Sequence, residues 1–217
     1  MKSLLALSFL VLAIGPAEAQ TVPESRGVLI PDGPEPSHLI AGGRVSDRTG
    51  YPIALYYTDF RAAVGSPEDM AISYLTERGE ALGVSDLKTL AHNSTLRTKS
   101  GYRVRFAQFL DGVRVYRSGM AISIGFDGAV HFVTNDYKPG LSLSGAAKTS
   151  SNSAIKSARA HVAFEGAPIH EEEELVLFAN GGSSRLARRV QLITATGAWD
   201  ILVDASSGQV FRAVPTA

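Results

Sequence analysis

Few residues of this chain combine the types and the spacing that catalysis requires. A metallohydrolase helix carries His-Glu-x-x-His, which places two imidazoles on one helix face as zinc ligands, with the glutamate as base. The nearest match, His170-Glu171-Glu172-Glu173-Glu174, lacks the second histidine. The histidines are scattered without ligand spacing, at positions His38, His92, His131, His161 and His170. We therefore expect this chain to bind no metal ion.

The residue types give no better support to covalent catalysis. The chain has no cysteine, and no serine stands in the Gly-x-Ser-x-Gly context of a nucleophile elbow. It also has no Gly-x-Gly-x-x-Gly and no Walker motif for a dinucleotide or a phosphate. The run Glu171–Glu174 is typical of a solvated acidic face. The sequence predicts no catalytic residues and no cofactor, and we expect the chain not to be an enzyme.

A basic segment is the most distinctive charged feature, and it runs from Arg97 to Arg117. Its cations are Arg97, Lys99, Arg103, Arg105, Arg114 and Arg117, and its one anion is Asp111. These cations either face water as ordinary strand and loop residues or form a basic face that docks on an acidic partner. We take four of them as candidate partner-binding residues: Arg103, Arg105, Arg114 and Arg117.

The charge and the amino terminus of the chain limit the kind of partner. The net charge is zero, with 21 basic and 21 acidic residues, which argues against a nucleic-acid binder or a membrane-surface protein. Lys2, the apolar run Leu4–Ile14 and Ala17-Glu18-Ala19 have the order of a secretory signal that is cleaved after Ala19. The apolar run is too short for a bilayer, which takes about 20 residues to span. We expect a secreted or periplasmic chain with no nucleic-acid and no membrane partner.

Two Asp-Gly pairs organise the basic segment. Residues Tyr102–Asp136 alternate apolar and polar types and contain Asp111-Gly112 and Asp127-Gly128. Both central residues of a type I′ turn need φ above zero, which glycine adopts freely and aspartate tolerates. The sequence therefore predicts three or four consecutive antiparallel strands that carry the arginines.

A helix followed by strands occurs twice along the chain. Ser66-Pro67-Glu68-Asp69 can cap and start a first helix, and a second helix is predicted to begin near Ser151 or Ser153. Strands then follow at Leu175–Phe178, Leu186–Ala195, Trp199–Asp204 and Gln209–Val214. The pattern predicts an α+β fold made of two small helix-on-antiparallel-sheet units in tandem.

Two stretches of sequence resemble parts of one protein family. Residues 105–115, RFAQFLDGVRV, resemble the R-F-x-Q-x-Y-x-G-x-x-V core of the fungalysin/thermolysin propeptide domain. Residues 198–210, AWDILVDASSGQV, resemble the A-W-x-V-x-V-D-A-x-T-G-E-V ending of a PepSY-like module, with Ser207 and Gln209 in place of the usual Thr and Glu. The two modules follow one another in the pro-regions of secreted thermolysin-like and fungalysin-like zinc metalloproteases.

Composition and the resemblance together predict an organisation for the whole chain. We expect residues 1–19 to be the signal peptide, 20–40 an extended leader rich in proline, 41–138 a propeptide-like domain, 139–149 a linker and 150–217 a PepSY-like domain. Each of the two domains is then expected to be one of the predicted helix-on-sheet units, in a cystatin-like arrangement.

The resemblance also implies a function, that of a protease pro-region. Such a chain assists the folding of the metalloprotease catalytic domain and inhibits it, in cis or in trans, and zinc belongs to that partner domain. The chain stops at Ala217, directly after the PepSY-like ending, so we expect either a pro-region separated from its catalytic domain or a free-standing inhibitor. A non-protease extracellular binding module is the alternative, because helix-on-sheet folds host many functions.

Overall fold

The computed structural model describes residues 36–143, 145–180 and 183–216. The predicted signal peptide, residues 1–19, and residues 20–35 of the predicted leader lie outside the described residues. The strands are β1 (Ser37–Ile40), β2 (Gly43–Ser46), β3 (Pro52–Tyr56), β4 (Leu90–Arg97), β5 (Gly101–Leu110), β6 (Val113–Gly125), β7 (Val130–Asn135), β8 (His170–Asn180), β9 (Ser183–Thr194), β10 (Gly197–Asp204) and β11 (Val210–Pro215). The helices are α1 (Pro67–Arg78) and α2 (Ser151–His161), with short 3₁₀ turns at Glu80–Leu82 and Leu87–Thr89. Across these three ranges, no helix has the length and apolar character needed to cross a membrane.

The eleven strands of the described residues form a single mixed sheet. Its main path runs β1-β2-β3-β7-β6-β8-β9-β10-β11, and β5 and β4 extend from β6 as a side branch. β6 and β8 are parallel, through Arg114 opposite Val176 and Val115 opposite Leu177. The prediction of two tandem helix-on-antiparallel-sheet units is therefore wrong, because this parallel pair joins the strands of both halves into one sheet.

The length of β6 makes this join possible. The strand has 13 residues, about twice the usual length of a strand. Its first residues, Val113–Val115, lie beside the end of β5 and beside β8, and Met120–Ile124 pair with β7. Alternation of apolar and polar residues indicates that a strand is present, but it does not indicate which strand it pairs with. The sequence pattern therefore did not predict the pairing of β6 with β8.

α1 covers the first half of the sheet. Ser66 caps the helix by accepting a hydrogen bond from the Asp69 backbone N–H at 3.1 Å, and Pro67 occupies the first turn. The buried face of the helix packs in one core with Val104 of β5 and Ile122 of β6. The helix contributes Met70, Ala71, Tyr74 and Leu75 to this core.

α2 and the segment before it cover the second half of the sheet. Ala154 and Ala158 of the helix pack against Val190 of β9 and Ile201 of β10. Leucine and alanine side chains within residues 141–147, inside the predicted linker, pack on β6 and β8. β1 likewise lies within the predicted leader, where it pairs with β2.

Side chains alternate along each strand, so the sheet has a second face that neither helix covers. In β5, Val104 packs under α1, and its neighbours Arg103 and Arg105 lie on the other face. In β10, Ile201 packs under α2, and Asp200 lies on the other face. We call this second face the open face of the sheet.

The two Asp-Gly turns have different backbone conformations. Asp111 and Gly112 have φ values of 49° and 80°, as a type I′ turn requires, which confirms the first predicted hairpin. At the turn between β6 and β7, φ is positive at Gly128, at 81°, and not at Asp127. This conformation fits a type I turn followed by a left-handed glycine, and it also joins antiparallel strands.

Candidate functional site

The four candidate arginines come together in one cleft on the open face. Arg103, Arg105, Arg114 and Arg117 all line this cleft, which has a volume of about 370 Å³. Asn93, Ser118, Thr134 and Asp136 also border it. We call it the arginine cleft.

The geometry of β5 and β6 explains why these arginines meet. Arg103 and Arg105 are two residues apart in β5, so they project from the same face. Arg114 lies opposite Phe109 of β5, near the turn. Arg117 lies further along β6, in a bulge that brings it back toward the same cleft.

The bulge in β6 is large. The pairing of the two strands passes from Ala107 opposite Gly119 to Phe109 opposite Arg114, so residues 115–118 of β6 face Gln108 alone. Arg117 has a φ of 47° and Gly119 a φ of 151°. A Cβ at Gly119 would lie 2.1 Å from the Phe106 carbonyl oxygen, so the close approach of the strands requires glycine here.

Small side chains form the floor of the arginine cleft. Arg105 lies opposite Ala121 and Arg103 opposite Ser123 in the β5–β6 pairing. Gly119 and Ala121 are buried and line the cleft. The arginine side chains of β5 therefore border an open trough that follows β6.

The arginines of β5 and Arg114 are not neutralised within the described residues. Arg103, Arg105 and Arg114 form no ion pair and no side-chain hydrogen bond with any residue in the ranges that the structure describes. The Nε of Arg103 is buried and has no hydrogen-bond partner there. Asp136 is the one carboxylate among the lining residues. Three guanidinium groups in one cleft that lack an anionic partner among the described residues make the cleft suited to bind a ligand with acceptor oxygens.

A buried polar cluster supports the Arg117 end of the cleft. The Tyr116 hydroxyl donates a hydrogen bond to Asp200 Oδ2 at 2.8 Å, and Arg189 Nε donates to Asp200 Oδ1 at 2.8 Å. Arg117 Nη2 lies 3.6 Å from the same carboxylate, whose side chain is 3% exposed. Burial, and then the nearby Asp200 carboxylate, raises the pKa of Tyr116 to about 12. Tyr116 is thus a fixed proton donor that holds Asp200 in place.

Sequence reasoning missed this cluster. Asp200 stands between Trp199 and Ile201 in a strand of mostly apolar residues, and a carboxylate at such a position must find a cation when it is buried. That signal was present in the sequence. Its partner Arg189 lies on the neighbouring strand β9 of the same hairpin. Its partner Tyr116 is distant in the chain and could not be identified without the pairing of β6 with β8.

The acidic run of β8 has a structural role. Glu171 accepts hydrogen bonds from Arg159 Nε and Nη2 at 2.7 and 2.9 Å. Glu173 accepts from Arg188 Nη1 at 2.7 Å and from the Ser151 hydroxyl. Within the described ranges, no three His, Asp or Glu side chains are placed to hold a metal ion.

Comparisons with known proteins find only distant likeness. No protein-family profile matches the chain, and no match was found among well-characterised proteins. Among solved structures, the chain is similar to the Bacillus megaterium YpeB C-terminal domain, with 14% identity and a TM-score of 0.45 over 81% of this chain and 76% of that one. It is also similar to a Clostridium difficile 630 protein named as a lipoprotein, with 13% identity and a TM-score of 0.27 over 73% of this chain and 96% of that one. At these TM-scores, neither likeness assigns a fold or a function.

Proposed function

We propose that this chain is a non-catalytic binding module that docks an acidic surface of a partner protein in the arginine cleft. The observation that carries this proposal is the set of three arginines, Arg103, Arg105 and Arg114, that share one cleft without an ion pair among the described residues. Clustered cations of this kind repel one another and attract carboxylates. A partner that supplies carboxylates relieves this repulsion and satisfies the guanidinium donors.

The partner that we propose is the catalytic domain of a secreted zinc metalloprotease, bound in cis or in trans. The support for this choice is the resemblance of residues 105–115 and 198–210 to the two modules of metalloprotease pro-regions. Zinc belongs to the partner domain in this proposal. Export, with cleavage after Ala19, would bring the module into the compartment of such a protease.

Two activities follow from such binding. A module that binds the native catalytic domain and not its unfolded chain stabilises the native state by linkage. If the two are joined covalently, the tether raises the effective concentration, so a modest intrinsic affinity is sufficient. The same contact inhibits the protease where it blocks access to the cleft of the enzyme.

The test is a titration of the protein, purified after export, into a thermolysin-like catalytic domain. We expect peptide hydrolysis to slow at micromolar concentrations of the module. The double charge reversal Arg103→Glu and Arg105→Glu should weaken inhibition by about tenfold or more, because like charges then face the partner. It should also reduce the dependence of binding on salt.

A matched control is Lys156→Glu, which reverses an exposed charge on α2, away from the open face. This variant should inhibit like the wild-type module. Hydrolysis that is unaffected by the wild-type module would overturn the choice of a metalloprotease as partner. Inhibition that is equal in the wild type and in the double variant would overturn the arginine cleft as the docking surface.

A further inference from the structure

We propose that the arginine cleft binds an extended acidic peptide segment that runs along β6 and presents carboxylates at alternate residues. This inference rests on the proposed function and deepens it, because it names the chemistry that the partner must present. A folded acidic surface with scattered carboxylates would not have this spacing.

The spacing of the arginines points to an extended ligand. Arg103 and Arg105 are alternate residues of one strand, so their Cα atoms are separated by about 6.5–7 Å. Alternate residues of an extended peptide have the same separation. Residues two apart on a helix point in different directions. Carboxylates two residues apart therefore match these two guanidinium groups in an extended segment, whereas a helix would need them three or four residues apart.

The shape of the cleft fits a peptide main chain. In β6, Ser123 lies opposite Arg103, Ala121 opposite Arg105 and Gly119 opposite Ala107, and all three are small. Gly119 and Ala121 line a trough along the strand, with the arginines of β5 on one side and Thr134 of β7 on the other. A main chain laid in this trough turns alternate side chains toward β5.

The unsatisfied donors specify the ligand groups. A guanidinium presents its N–H groups as a planar fork that matches the two oxygens of a carboxylate. The carboxylates of the ligand pair with the guanidinium groups of Arg103 and Arg105, which line the cleft and have no anionic partner among the described residues. Arg114 lies toward the end of the trough and can donate hydrogen bonds to a further carboxylate. Arg117 is oriented by Asp200 and adds mainly positive potential.

The test uses three fluorescent nonapeptides of matched length. The first carries four Glu at alternate positions between Ser and Thr, and the second carries the same residues with the Glu in two adjacent pairs, arranged so that no two Glu are two residues apart. The third replaces each Glu of the first with Gln. We expect the alternating Glu peptide to bind about tenfold more tightly than the paired Glu peptide, which corresponds to the loss of one charge-assisted contact. The Gln peptide should bind most weakly.

Variants of the full protein locate the effect. Arg103→Gln and Arg105→Gln should each remove the preference for the alternating peptide, and Lys156→Gln should retain it. Equal affinity for the two Glu peptides would overturn the inference, because binding would then depend only on the net charge of the peptide. Displacement of the peptide by inorganic phosphate at an equal concentration would also overturn it, because the site would then be a simple anion site.

The outcome separates this inference from the proposed function. Protease inhibition that depends on Arg103, without a preference between the two Glu peptides, would overturn the inference and leave the proposed function standing. A clear preference for the alternating peptide, without any effect on a metalloprotease, would support the inference and overturn the choice of partner.

Discussion

Asp200 gathers a tyrosine and two arginines at one buried point beside the arginine cleft. Its carboxylate accepts from Tyr116 and Arg189 and lies within 3.6 Å of Arg117. A buried carboxylate is tolerated only when it is paired, because its desolvation costs several kcal/mol. Since Arg117 also lines the cleft, the buried carboxylate fixes one wall of the candidate site.

The titration of Tyr116 gives a prediction on pH dependence. Its pKa is raised from 10.0 to about 12 by burial and by Asp200, so in this window the folded chain keeps a proton that the unfolded chain has lost. The free energy of unfolding must therefore fall as pH rises from 10 through 12. The free energy of unfolding of Tyr116→Phe should fall less steeply over this pH range. At neutral pH it should be lower than that of the wild type by about 1.5–3 kcal/mol, because the variant lacks a hydrogen bond to a charged group. Urea denaturation at neutral and alkaline pH measures both effects.

Tyr102→Phe is the matched control for this prediction. The Tyr102 hydroxyl has no hydrogen-bond partner within the described part of the chain, and its ring contacts Phe126 edge-on. This variant should lie within about 0.5 kcal/mol of the wild type at neutral pH and keep the wild-type pH dependence. If the alkaline slope were the same in Tyr116→Phe and in the wild type, the pKa of Tyr116 could not be its cause.

At the scale of residues, the sequence predicted the cations of the site but not their support. A count of charges found the basic segment, and the alternation of residue types predicted strands that carry its arginines. That Arg114 and Arg117 join the arginines of β5 depends on a turn and a bulge in β6. Charge and spacing along a chain do not show that Asp200 lies beside Tyr116 and Arg117, because it reaches them through the sheet.

The bulge of β6 is the element on which the cleft depends. It places four residues of β6 opposite one residue of β5, which bends the strand and separates its pairing with β8 from its pairing with β7. Gly119 ends the bulge and lies in the cleft floor. The trough and the junction between the two halves therefore have a common structural origin.

Gly119→Ala tests this role of the bulge. Its Cβ would lie 2.1 Å from the Phe106 carbonyl oxygen, at a φ of 151°. We expect a loss of about 1–3 kcal/mol in the free energy of unfolding, because the backbone must shift. Binding at the arginine cleft should weaken as well, since the floor moves. Denaturation and the peptide titration measure the two effects.

Gly50→Ala, in the turn between β2 and β3, is the control, because it also changes a glycine with positive φ but has no atom within 4 Å of the new Cβ. It should cost about 1 kcal/mol through backbone conformation alone and leave binding unchanged. If the two variants had equal effects on stability and on peptide binding, the close approach of the strands at Gly119 would not be the cause of the loss.

At the scale of elements, the sequence correctly predicted features that depend on short-range chemistry, and it missed a strand with little apolar alternation. The cap at Ser66 and the turn at Asp111-Gly112 use short-range chemistry, and both are found where the sequence placed them. β4 was missed because it is an edge strand with mostly exposed residues, so it shows little apolar alternation. Edge strands need polar residues to avoid association, which removes the pattern that would reveal them.

At the scale of the molecule, the parallel pairing of β6 and β8 decides the architecture. It makes one sheet out of strands that lie on either side of α2 in the chain. Tandem units were predicted because each helix is followed by its own strands, and neighbours in sequence are often neighbours in space. A contact between distant strands leaves no periodic signal, so only the structure could correct this prediction.

A single sheet predicts that the two halves unfold together. Ile122 is fully buried under α1 in the first half, and Trp199, the only tryptophan, packs under α2 in the second. Ile122→Ala should lower the free energy of unfolding by about 2–5 kcal/mol. The midpoints from Trp199 fluorescence and from far-UV circular dichroism should then shift by the same amount, because the continuous sheet couples both cores.

Leu96→Ala provides the matched control for this coupling, since Leu96 lies in β4 of the same half but is 61% exposed. Both midpoints should stay close to those of the wild type, because surface substitutions change the free energy of unfolding by no more than about 0.5 kcal/mol. A shift of the dichroism midpoint in Ile122→Ala with an unchanged Trp199 midpoint would mean that the halves unfold independently. The β6–β8 pairing would then contribute little to stability, and the Asp200 cluster could not hold the arginine cleft together across the junction.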